Sequence, residues 1–187
     1  GLGITCAVHG GDFTSCGPES AIDWFQRKLQ AEYDSKHSIL GPGPKHEKTI
    51  RVLNRVLTWT SEGVTYEADQ RHADLVIEAL GLENAKGVAT PGSKEEVDRM
   101  QLDPGELLPP HAATDYRALA ARLNYLALDR PDIQFATTEC AKHMANPRDS
   151  KLHIMKRLGR YLKDHPRVVQ LFRWQRNTDD LATYTDS

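Results

Sequence analysis

The chain has 187 residues, 39% of them hydrophobic, and a formal net charge of −2, which suits one globular domain or two small ones. No stretch approaches the roughly eighteen consecutive apolar residues of a membrane span, and no basic-then-apolar leader stands at the start, so no membrane partner is expected. Cys6, Cys16 and Cys140 are odd in number and scattered; they suggest neither a disulfide framework nor a zinc site and read as small core residues in a reducing, intracellular compartment, cytoplasmic or nuclear.

In chain order, Ile4 to Val8 is β-prone, His9-Gly10-Gly11-Asp12 is turn chemistry, and Phe13 to Cys16 returns, which predicts a hairpin. Gly17-Pro18-Glu19 opens a helix through about Tyr33, with Ile22, Phe25 and Leu29 on one buried face. Gly41-Pro42-Gly43-Pro44 is a loop. Ile50 to Leu57 alternates imperfectly, as a strand would, and Thr58-Trp59-Thr60 and Val64 to Glu67 flank Ser61-Glu62-Gly63 as a second hairpin. Asp69 is placed to cap a helix with the apolar stripe Ala73, Val76, Ile77 and Leu80, closed by Gly81. From about Gly87 to Pro110 the composition turns to proline, glycine and charge, a connector between domains.

Three helices are predicted beyond it. Thr114 opens one with Tyr116, Leu119, Ala120, Leu123, Leu126 and Ala127 on one face. Pro131 starts another to about Met144, with Ile133, Ala136, Cys140 and Ala141 inside. Asn146-Pro147 precedes the third, whose inner stripe is Ile154, Leu158, Tyr161 and Leu162 and which His165-Pro166 ends. Two short strands follow, Val168 to Trp174 and Leu181 to Thr185. The overall expectation is an α+β fold.

Charge is uneven despite the near-neutral total. Between Lys151 and Arg176 stand eight basic residues against the single acid Asp164. Such a cluster is either a phosphate-facing surface or the solvated face of a helix.

The helical half carries an ordered series: Tyr116-Arg117-Ala118-Leu119, Leu123-Asn124-Tyr125-Leu126, Arg130-Pro131-Asp132-Ile133-Gln134-Phe135-Ala136, Met144-Ala145-Asn146-Pro147 and Leu158-Gly159-Arg160-Tyr161-Leu162-Lys163. Its order and spacing resemble the segment between polymerase and RNase H in the Pol polyproteins of copia-type retrotransposons. The resemblance implies a partial reverse transcriptase palm of antiparallel hairpins with a helix and a primer-grip region in residues 1–90, a connector in 91–110, a helical thumb or connection in 111–165, and the first strands of RNase H in 166–187. It implies an RNA or DNA template–primer and the remainder of the Pol polyprotein as partners.

The same resemblance assigns candidate site residues. Val8-His9-Gly10-Gly11-Asp12-Phe13 sits where the family has a hairpin with two adjacent aspartates, so Asp12 matches the second metal-binding acid and Gly11 replaces the first. Two-metal phosphoryl transfer needs converging carboxylates, because Mg²⁺ is a hard cation that prefers oxygen ligands. Losing one such acid costs about a thousandfold in rate, about 4 kcal/mol of barrier; the palm's earlier acid is expected upstream of Gly1, so the chain is expected to be inactive alone. Asp186, in Tyr184-Thr185-Asp186, matches the first metal-binding acid of RNase H, whose other acids are expected beyond Ser187. Arg51 and Arg55 would face primer phosphates, and Lys156, Arg157, Arg160 and Lys163 would face template–primer; Trp59 or Tyr66 would pack on a sugar or base, although sheet core is the better account of Trp59. Two other readings stay open: a non-catalytic nucleic-acid-binding remnant of a decayed element, and a relic that folds poorly alone because the edge near Ile4 to Val8 is unpaired.

Overall fold

The structure, a computed structural model, describes residues 2–95, 98 and 105–175. These fall into two compact units, residues 2–53, 57–64 and 173–175 in one and residues 54–56 and 65–172 in the other. Antiparallel hairpins dominate the first part of the chain and helices the second, with one helix between the hairpins and one strand after the last helix, an α+β arrangement.

The first unit opens with the predicted hairpin, β1 (Thr5–His9) and β2 (Asp12–Cys16), paired antiparallel with His9 opposite Asp12. Gly10 has φ +62°, as the first central residue of a type II′ turn requires, and this turn matches the twist of the flanking strands. Nearly every residue of both strands is exposed. Cys6 and Cys16 are therefore exposed, against the expectation of core positions, and only Cys140 is buried. Period-two alternation places Cys6 opposite Ser15 and Cys16 opposite Thr5, on opposite faces of the ribbon. Helix α1 (Glu19–Glu32) follows Pro18 as expected, but Ile22, Phe25 and Leu29 are only half-buried and Ala21 is its buried residue.

In the loop after α1, the Lys48 ammonium donates to the carbonyls of Gly41, Pro42 and Gly43 at 2.8, 2.9 and 3.1 Å. The amide of Gly43 donates to His46 Nδ1 at 3.1 Å. A Cβ on Gly41 would stand 2.5 Å from that ring nitrogen, which explains a glycine where the sequence alone shows only a loop.

The second sheet has the strand order β3 (Thr49–Val52), β4 (Arg55–Trp59), β5 (Gly63–Glu67) and β6 (Val169–Arg173). The hairpin across Ser61-Glu62-Gly63 forms as read. The run from Ile50 to Leu57 is not one strand: Leu53 and Asn54 have φ +47° and +66°, the two left-handed residues of a type I′ turn. Asparagine announces such a turn and leucine does not, so the alternation hid it. Strand β6 matches the predicted Val168 to Trp174; the strand expected from Leu181 to Thr185 lies outside the described residues.

The second unit is built on helices α2 (Arg71–Ala79), α3 (Pro110–Ala127), α4 (Gln134–Ala141) and α5 (Asp149–Asp164), with a 3₁₀ turn over Pro131–Ile133 before α4. Asp69 stands one residue before the cap of α2, where its carboxylate accepts the Arg71 amide at 3.2 Å. Gly81, φ +63°, ends α2 with a Schellman pair, Leu82 N–H to Ile77 O and Gly81 N–H to Glu78 O, both 2.9 Å. Helix α3 starts at Pro110, four residues before Thr114, because proline is pre-set for a first helical turn.

The predicted stripes converge in one core: Ala73 and Val76 of α2, Tyr116, Ala120, Leu123, Leu126 and Ala127 of α3, Ile133, Ala136 and Cys140 before and within α4, and Ile154, Leu158, Tyr161 and Leu162 of α5. Helix α2, which the sequence groups with the first 90 residues, packs against α3 and α5. Leu119 and Ala141 are only half-buried. Tyr116 is 1% exposed and its hydroxyl donates to the Cys140 carbonyl at 2.8 Å. Burial pushes the Cys140 thiol up to about 12, so this cysteine stays a protonated packing group at neutral pH.

A left-handed leucine costs about 1 kcal/mol relative to a residue that tolerates that conformation. The double substitution Leu53→Asn, Asn54→Gly should raise stability by about 1 kcal/mol, read as a higher urea midpoint at unchanged m-value. A midpoint that stays put or falls would show that Leu53 is not strained.

Candidate functional site

The exposed Asp12 opens β2 directly after the glycine turn. Gly11 before it contributes no side chain, and among the described residues no group of three or more His, Cys, Asp or Glu side chains is placed to hold a metal ion. The residues present at this turn therefore do not fit a magnesium site. Asp186 lies outside the described residues.

On the second sheet, Arg51 is exposed on β3. Arg55 on β4 is held among protein groups: its Nη2 lies 2.9 Å from Asp129 Oδ2, its Nε donates to Tyr66 Oη at 2.9 Å, and its guanidinium carbon lies 5.6 Å from the centre of the Tyr125 ring. The Tyr66 hydroxyl donates to Asp129 Oδ1. Hydrogen bonding to Asp129 raises the Arg55 pKa further, against the effect of burial. Burial, and then Asp129, raises the Tyr66 phenol. The Asp129 main-chain carbonyl accepts from Gln170 Nε2 at 2.9 Å. Tyr66 meets Phe172 edge to face at 6.3 Å, and Trp59 lies half-buried with its ring 4.2 Å from that of Trp174.

The basic series near the end of the chain resolves residue by residue. Lys151 is 4% exposed on α5, and burial lowers its pKa. Arg157 donates to the Thr90 carbonyl at 3.2 Å and to its hydroxyl at 2.7 Å, Arg160 to the Lys86 carbonyl at 2.7 Å, and Lys163 to the Ala85 carbonyl at 2.6 Å. Arg167 forms a bidentate pair with Glu67 at 2.6 and 2.7 Å, and Arg173 pairs with Glu62 at 3.0 Å. Lys156 is exposed, and Arg176 lies outside the described residues. The tertiary structure thus gives most of these cations a partner within the chain.

The residues of the ordered helical series form a second polar cluster, which the sequence marks without explaining. Arg130 is 1% exposed. Its Nε and Nη2 donate to the two oxygens of Asp132 at 2.9 and 2.7 Å, and Nη2 also donates to the His165 carbonyl at 3.0 Å. Pro131 between them fixes the tight bend into the 3₁₀ turn that brings Arg130 and Asp132 face to face. The Tyr161 hydroxyl donates to Asp132 Oδ2 at 3.0 Å, and the Tyr161 ring stacks on His165 at 4.3 Å. Arg117 donates to the carbonyls of Met144 and Ala145 at 2.7 and 3.2 Å, satisfying groups just beyond the end of α4. These side chains fasten elements together. Asp129 and Arg130 were not among the sequence candidates; the signal was the alternation of sign in Asp129-Arg130-Pro131-Asp132.

Removing one partner of a buried ion pair leaves an uncompensated charge. Arg130→Met should destabilise the helical unit by about 3–5 kcal/mol, and Arg130→Lys should recover little, because an ammonium lacks the planar fork. Burial alone would raise the Asp132 carboxyl, but the Arg130 guanidinium and the Tyr161 hydroxyl outweigh it and hold it below the usual carboxylate range. A depressed carboxylate contributes stability above its unfolded value, about 3.9, that is lost as pH falls through the folded value. Urea titrations in acid should show this loss in the parent protein and a shallower one in Asp132→Asn; identical acid limbs would remove Asp132 as the cause.

Comparison with known proteins places these features in context. The chain is 35% identical over 103 residues, 55% of its length, to the retrovirus-related Pol polyprotein from transposon RE2 of Arabidopsis thaliana. It is 36% identical over 74 residues, 40% of its length, to the corresponding polyprotein from transposon RE1 of the same plant. The matches span 7% and 5% of those polyproteins. No family model and no solved structure matches the chain. Over more than half of its length, then, the chain is similar in sequence to a segment of a retrotransposon Pol polyprotein.

Proposed function

We propose that the chain is part of the reverse transcriptase region of a copia-type Pol polyprotein: a partial palm with the primer-grip hairpin, the helical thumb or connection, and the start of RNase H. The observation that carries this reading is the sequence similarity to two retrotransposon Pol polyproteins. The ordered helical series supports it, because its residues build one internally consistent core and clamp. The parent enzyme would work inside the cell, copying RNA into DNA with Mg²⁺ held by acids that converge from several palm strands.

Alone, this chain does not polymerise. Asp12 is one carboxylate where the reaction requires several, and Gly11 removes its neighbour. What remains to the fragment is contact with template–primer phosphates, through Arg51 on the sheet and the basic side of α5. In that capacity it is the non-catalytic remnant that the charge distribution also suggests.

A chimera tests the proposal. This chain, carrying Gly11→Asp, replaces the matching segment of a copia-type Pol polyprotein, and Mg²⁺-dependent primer extension is measured. The Gly11→Asp chimera should extend primers, and the Gly11 form should be slower by about a thousandfold or more. Gly11 lies outside the left-handed region and a Cβ there meets no atom within 4 Å, so the turn accepts the aspartate. A folded chimera that stays inactive with the restored acid would sink the assignment.

A further inference from the structure

The segment from Ala85 to Thr90 lies along α5 as a strap, fixed by three cations one helical turn apart. Lys163 holds the Ala85 carbonyl, Arg160 the Lys86 carbonyl, and Arg157 the Thr90 carbonyl and hydroxyl. The strap runs antiparallel to the helix, and the groups it offers these donors are main-chain carbonyls and one hydroxyl, all neutral. Gly87 comes so close to the end of α5 that a Cβ there would stand 1.8 Å from the Asp164 carboxylate. Strap residues Lys86, Ala89 and Thr90 are exposed, while Ala85, Gly87 and Val88 are half-buried and Val88 packs against the core, so the segment is held by these donors together with one apolar anchor.

We infer that the strap and a phosphodiester strand compete for Arg157, Arg160 and Lys163, so that the 85–90 segment is an autoinhibitory cover on the basic side of α5. The inference rests on the nucleic-acid reading above and specifies how that surface is regulated. Its physical basis is the difference between acceptors. A phosphate oxygen bears charge, takes the guanidinium fork bidentately, and forms hydrogen bonds about twice as strong as a neutral carbonyl does. Each phosphate bound also releases a condensed counterion, a gain that falls as salt rises. At low salt the strand displaces the strap; at high salt the strap recloses. Lys156, exposed on the same helix, offers first contact while the strap is closed.

The bond after Lys86 reports the state of the strap. Trypsin must seat the Lys86 carbonyl among its own donors, and that carbonyl is the one Arg160 holds at 2.7 Å, so cleavage there requires an open strap. The whole 187-residue chain is incubated with oligothymidylate at low and high salt, binding is measured by anisotropy, and cleavage after Lys86 is followed by mass spectrometry. Saturating oligothymidylate at low salt should speed that cleavage about tenfold, and high salt should abolish the effect. Arg160→Met, shown to be folded by circular dichroism, should raise cleavage in the absence of nucleic acid. Binding without faster cleavage, or with protection, overturns the strap and leaves the nucleic-acid reading intact. No binding at low salt overturns both, and unchanged basal cleavage in Arg160→Met overturns the strap alone.

Discussion

A guanidinium with 1% of its surface exposed is among the costliest groups a small core can contain, and Arg130 is tolerable only because its donors are met on several sides. Asp132 takes two of its N–H groups at 2.9 and 2.7 Å and the His165 carbonyl takes another at 3.0 Å. Desolvation makes the cluster all-or-none: with every partner present it fixes geometry, and with one missing it becomes an unpaired buried charge. The partners come from the bend between α3 and α4 and from the end of α5. The clamp therefore sets where α5 stops and where the chain leaves toward β6. The helical stripes supply the apolar burial, and Arg130 with Asp132 supplies the alignment.

The same logic governs the charges near the surface. A string of eight basic residues against one acid suggests an electrostatic footprint, yet a cation attracts whatever oxygen folding brings near it. Lys151 is buried by the core, Arg167 and Arg173 meet Glu67 and Glu62 from β5 and its turn, and three cations of α5 hold a passing main chain. Arg55 likewise meets Asp129 and Tyr66. Charge density along a sequence is thus an upper bound on what a polyanion meets. Part of the basic surface holds the fold together, and in the proposed reading its availability to a polyanion depends on whether the strap along α5 yields.

At the amino-terminal hairpin the constraint is chemical. A type II′ turn favours a glycine at its first central position, and Gly10 supplies it with φ +62°. The second position is open to any residue, so Gly11 is not demanded by the backbone. The proposed loss of the hairpin's paired acid thus follows from the identity of one side chain, while the hairpin that would display it forms regardless.

Local pattern and tertiary outcome separate cleanly. Turn chemistry marked the hairpin at Gly10-Gly11 and the Gly81 cap, and periodicity marked the inner faces of α3 and α5, because each depends on neighbours a few residues apart. The Leu53-Asn54 turn escaped, since leucine rarely takes a left-handed backbone and alternation continued through it. Exposure of Cys6 and Cys16 escaped too: a β-prone segment has the same pattern whether or not another layer covers it. The ordered helical series was legible as a resemblance to Pol polyproteins, but not as the clamp it is. Which carbonyl Arg160 would hold, which acid would take Arg55, and that Lys151 would be buried were decided only by tertiary structure. Those partners lie 74 residues away in the first two cases, and a hydrogen bond depends on distance in space, which sequence spacing does not encode.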